Sequence, residues 1–88
     1  MEAKNLLTIT ATEYAKMTGK DLSRFLPRGF NVFGYMDTVK ECTESVLEKI
    51  RGAVPKNTEV VVSYSLNIVH TLPAAYVATG TALVPKKG

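Results

Sequence analysis

The residues of this chain that could do chemistry are few and dispersed. His70 is the only histidine and Cys42 the only cysteine. Imidazole titrates near neutrality and turns are where binding groups gather, so His70, in a turn ending at Pro73, is a candidate ligand or proton carrier. The plainer reading, a solvated turn residue, is preferred. Tyr76 follows at the start of the next extended segment and joins His70 and Cys42 as the candidate ligand-binding set. Cys42 falls early in a helical pattern, where the helix dipole could lower a thiol pKa, but it lies on the apolar stripe, where free cysteine packs as a small hydrophobe. One cysteine and one histidine cannot complete a tetrahedral zinc site, so any metal site would have to be built between subunits. Arg24 and Arg28 beside Phe30 are the nearest approach to an RNA or phosphate contact, and they equally suit a solvated loop flanking a core aromatic. The eight carboxylates fall mostly on helix faces and caps, and no nucleophile elbow, phosphate loop or metalloprotease signature occurs. No enzyme class follows, and no cofactor is implied.

The elements that must position these side chains fit one domain of 88 residues. An apolar content of 45% and a charged content of 22% are globular values. The net charge of +3 comes from Lys and Arg residues spread along the chain, whereas nucleic-acid proteins concentrate basic charge on one face. No apolar run reaches the length of a membrane helix, and the first residues lack a secretory pattern, so a soluble cytoplasmic protein is the expectation.

The spacing predicts a β-α-β-β core. Residues 58–66 alternate Val60, Val62, Tyr64 and Leu66 with Val61, Ser63 and Ser65, a period of two that signals a half-buried strand. Residues 74–84 form its hairpin partner, with Gly80 inside, where a missing side chain lets a neighbour approach the backbone. Pairing Leu66 with Tyr76, Tyr64 with Ala78, Val62 with Gly80 and Val60 with Ala82 sets large against small, and places Ser63 by Thr79. Residues 38–53 read as a helix opened by a Thr38–Glu41 capping box, with Val39, Cys42, Val46, Ile50 and Ala53 on one stripe. Residues 30–36 read as the first core strand, preceded by turn punctuation at Pro27, Arg28 and Gly29. Ahead of it, residues 5–12 suggest a short strand, Thr12 a helix cap for residues 13–17, and Thr18 with Asp21 a second start before residues 22–26. Residues 86–88 read as a frayed tail.

The expected fold is therefore α+β, with an antiparallel or mixed sheet whose hairpin-return strand lies between the other two. The helix is expected on the face of Val60, Val62 and Tyr64. That leaves a second face carrying Val61, Val77, Leu83 and Phe33 or Tyr35, to be covered by residues 12–26 or by another subunit.

The run from Thr43 through Asn67, followed by Gly80-Thr81-Ala82-Leu83, resembles the YbjQ-like family, labelled heavy-metal-binding. The resemblance covers roughly the C-terminal half and implies a dodecin-like β-α-β-β subunit in a ring, commonly a pentamer. The family's Gly-rich segment before the helix is absent, so its metal-binding label attaches to no named residue. The resulting expectation is a small homo-oligomeric binding protein holding a small ligand or metal ion between subunits. The alternative is an RNA- or nucleotide-binding module built on Arg24, Arg28 and Phe30.

Overall fold

The computed structural model describes residues 5–69 and 73–86, apart from the side chain of residue 39. His70 and residues 87–88 of the expected tail lie outside the described residues. Helix α1 (Ala11–Thr18) leads through a 3-10 turn (Leu22–Arg24) into strand β1 (Phe25–Met36); helix α2 (Val39–Ala53), strand β2 (Val60–Val69) and strand β3 (Ala74–Pro85) follow. The expected α+β class holds, with one main helix against a three-stranded antiparallel sheet ordered β1-β3-β2.

Local chemistry accounts for the ends of these elements. The Thr38 hydroxyl accepts a hydrogen bond from the Glu41 amide at 3.1 Å, so α2 starts at the capping box. Thr10 caps α1 in place of Thr12, because its hydroxyl accepts from the Glu13 amide and donates to the Glu13 carboxylate. That box takes Ala11 and Thr12 into the helix and leaves only Leu6 bridged to Val61 where a strand was expected. Gly19 closes α1 at φ 73°, a left-handed cap that favours glycine. Asp21 caps the 3-10 turn as expected, accepting from the Ser23 amide at 2.9 Å.

Strand β1 begins at Phe25 and runs straight through Pro27 and Gly29, where a turn was expected. The reason lies in its place at the sheet edge. Glu59 donates to the Leu83 carbonyl and Lys86 donates to the Arg24 carbonyl, so odd positions of β3 bond toward β2 and even ones toward β1. The matching alternation along β1 turns position 27 outward, where a residue without an N–H leaves no ladder bond unmade.

The register of β2 on β3 differs from the expected one by two residues next to the turn, because β2 runs on to Val69, and by one residue at Val60–Val62, because a bulge intervenes. Val60 pairs with Leu83, Val61 with Ala82 and Val62 with Thr81; beyond an irregularity, Ser65 pairs with Thr79 and Leu66 with Ala78. Ser63 has φ 53° there, and the consecutive amides of Ser63 and Tyr64 both point outward, to the carbonyls of Ile9 and Leu7. An extra residue inverts the alternation. Val61, Tyr64 and Leu66 therefore belong to the α2 side, while Val60 and Val62 belong to the opposite side under α1. This corrects the expectation that α2 lies over Val60 and Val62 together with Tyr64, which read the alternation straight through position 63.

Two cores result. On the α2 side, Cys42, Val46 and Ile50 pack on Ala74, Ala78 and Ala82, with Val54 completing the stripe in place of the exposed Ala53. Gly80 admits its neighbours closely, as expected of a strand glycine: a β-carbon there would lie 2.9 Å from the tip of the Phe30 ring and 3.0 Å from a Val61 methyl. On the opposite side, Tyr14, Leu22 and Phe25 cover Val60, Val62 and Leu83. Residues from the expected 12–26 segment thus close one end of the second face, and Val61 and Leu83 are buried by their own chain. The molecule is 46 Å long, whereas an eight-residue helix spans only about 12 Å, so α1 cannot cover the whole length.

Candidate functional site

Cys42 and Tyr76 come together at the interface between α2 and β3, both inside the core. The Cys42 thiol faces the Ala74 carbonyl at 3.5 Å and has no exposed surface. The Tyr76 hydroxyl pairs with Ser45 Oγ at 3.1 Å, and the residue is 1% exposed. Lys49 lies over the Tyr76 ring at 5.9 Å and donates to the Phe33 carbonyl at 2.8 Å. Gly34, opposite Tyr76 on β1, leaves space for the phenol: a β-carbon there would sit 2.7 Å from the hydroxyl oxygen. The arrangement joins the helix to the sheet and leaves neither side chain open to a ligand.

The residues of the RNA reading are distributed differently. Arg28 and Phe30 lie two apart along β1, paired with Ala82 and Gly80, and the Phe30 ring is used against Gly80. Arg24 instead lines a cleft of about 570 Å³ with Lys20, Asp21, Phe25, Glu59 and Lys86. Lys20 and Glu59 pair there at 2.8 Å, and the Glu59 carboxylate holds the ammonium pKa above its ordinary value. Hydrogen bonds from the Ser23 amide and hydroxyl hold the Asp21 carboxyl below the usual carboxylate range. Two carboxylates therefore offset most of the three cations in this cleft.

The remaining open surface is the far end of the sheet face opposite α2. Phe33 and Tyr35 are each 65% exposed, Val69 56% and Val77 42%. Register makes them one surface: Phe33, Val77 and Asn67 form one cross-strand row, and Tyr35, Ala75 and Val69 the next. Neighbouring Asn31, Thr79 and Ser65 continue it toward a hollow of about 510 Å³ lined by Asn31, Ser63, Thr79 and Thr81. None of these residues carries a charge. The four large apolar side chains expose roughly 400 Å², a size at which a patch on a monomer is often functional. The sequence pointed to Val77 and to Phe33 or Tyr35; it missed Val69, because β2 runs on to that residue where a turn was expected.

Among the described residues, no three of His, Cys, Asp and Glu come together in a metal-holding group, and no helix is long and apolar enough to cross a membrane. Comparison with protein-family models, with curated proteins and with solved structures finds no match for this chain.

Proposed function

We propose that this chain is a binding module rather than an enzyme, working as an assembly of identical subunits that meet on the open end of the sheet. The observation that carries this reading is the uncharged surface of Phe33, Tyr35, Val69 and Val77, left uncovered where α1 ends. A second copy brings the same neutral surface and meets no unpaired charge on it. The adjoining hollow of Asn31, Ser63, Thr79 and Thr81 offers hydroxyl and amide groups to a small polar ligand once a second subunit closes over it. The YbjQ-like resemblance points to assembly as well. Sedimentation of the wild type and of Phe33→Lys across a concentration series tests the reading. The wild type is expected to associate and the variant, its fold unchanged, to associate to a lower order; a wild-type monomer at tens of micromolar overturns it.

A second reading, an RNA- or nucleotide-binding module, is favoured by the cleft in which Arg24 joins Lys20 and Lys86. Binding of an RNA oligonucleotide that weakens steeply with added salt would support it, and no binding at low salt would exclude it.

A further inference from the structure

The two edges of the sheet are treated differently. The outer edge of β1 is obstructed: Pro27 lacks a donor, and the Lys49 ammonium occupies the outward carbonyl of Phe33. The first half of the β2 edge is occupied by the chain's own residues 7 and 9, through Leu7 N to Val61 O at 2.8 Å, Ser63 N to Ile9 O at 2.8 Å and Tyr64 N to Leu7 O at 2.9 Å. Alternation from the outward amide of Tyr64 turns the N–H and C=O groups of Leu66 and Ile68 outward too, and Ser65, Asn67 and Val69 inward to β3. No described backbone group bonds to Leu66 or Ile68 on that outer side. Residues 65–69 contain neither a charge nor a proline, the two devices that ordinarily guard an edge.

We infer that two copies of this chain pair antiparallel along this half of β2, about a two-fold axis at Asn67, to form one continuous six-stranded sheet. This rests on the self-association proposed above and names its contact. The segment is self-complementary. Leu66 meets the partner's Ile68 and Ile68 the partner's Leu66, and each such pair exchanges both N–H···O bonds. Asn67 faces its own copy across the axis on the open face, in the close, non-hydrogen-bonded type of pair.

Area identifies a second copy as the occupant. One open face exposes roughly 400 Å² of large apolar side chain, about half of the ~800 Å² that each partner buries in a standard interface. Edge pairing about an axis perpendicular to the sheet places two such faces side by side on one surface and reaches that size. The joined surface can then stack on another like it, so dimers of dimers are the expected assembly.

The test is residue-resolved amide exchange over a concentration series, read alongside sedimentation. In assembled protein the Leu66 and Ile68 amides should exchange at least about tenfold more slowly than in dilute monomer, while the Phe33 amide on the obstructed edge of β1 should not change. Asn67→Lys should dissociate the pair by setting like charges across the axis, and mixing it with Asn67→Asp should restore association. An assembly in which Leu66 and Ile68 exchange as fast as in the monomer, or a closed five-fold ring, overturns the edge pairing but leaves self-association standing. A monomer at every concentration overturns both.

Discussion

Replacing Gly34 with alanine is the sharpest probe of how α2 is held to the sheet. The added β-carbon would lie 2.7 Å from the Tyr76 hydroxyl oxygen, 2.9 Å from its Cζ and 3.0 Å from Lys49 Nζ. Lys49 can move, because its stem is exposed. Tyr76 cannot move freely: it is 1% exposed and its hydroxyl is paired with Ser45. Overpacking of this kind costs about 1–3 kcal/mol, and the reduced freedom of the unfolded chain returns about 0.4–1 kcal/mol. The expected net destabilisation is about 1–2 kcal/mol, a fall in melting temperature of roughly 5–15 °C for a domain of this size. Urea and thermal unfolding should be measured at one fixed protein concentration, because association raises apparent stability. Tyr76→Phe removes the nearest atom at a cost of about 1 kcal/mol for the lost hydrogen bond. In that background the Gly34→Ala penalty should shrink by at least about 0.5 kcal/mol. A neutral or stabilising Gly34→Ala, or an equal penalty in both backgrounds, would refute the reasoning.

Further expectations concern acid stability and the thiol. Ser23 holds the folded Asp21 carboxyl below its unfolded pKa, so this group's contribution is present above the unfolded value and is lost as pH falls through the folded one. The stability gap between wild type and Asp21→Ala should therefore narrow in acid, and Ser23→Ala should raise the Asp21 pKa in an NMR titration. Cys42 has no exposed surface, so a thiol reagent should label it only as fast as the protein unfolds. Rapid stoichiometric labelling under native conditions would show that the interface between α2 and the sheet opens.

Much of the scaffold was legible in order and kind because its signals are local. The Thr38 box and the stripe through Cys42, Val46 and Ile50 lie within one helix. The central place of β3 followed from a hairpin joined to a short crossover. The candidate surface was only partly legible. Val77, and Phe33 or Tyr35, were assigned to the second face, but Val61 was misassigned there and Val69 was overlooked.

What the sequence determined by itself is therefore the β-α-β-β core, the order of its elements and the antiparallel placement of β3, since capping, periodicity and short connections act over a few residues. The tertiary structure decided which sides Val60, Val61 and Val62 face, because the outward amides of Ser63 and Tyr64 answer to carbonyls more than fifty positions earlier in the chain. It also decided how far the second face is closed. That depends on where α1 comes to rest over Val60, Val62 and Leu83, a long-range packing outcome that no local pattern encodes.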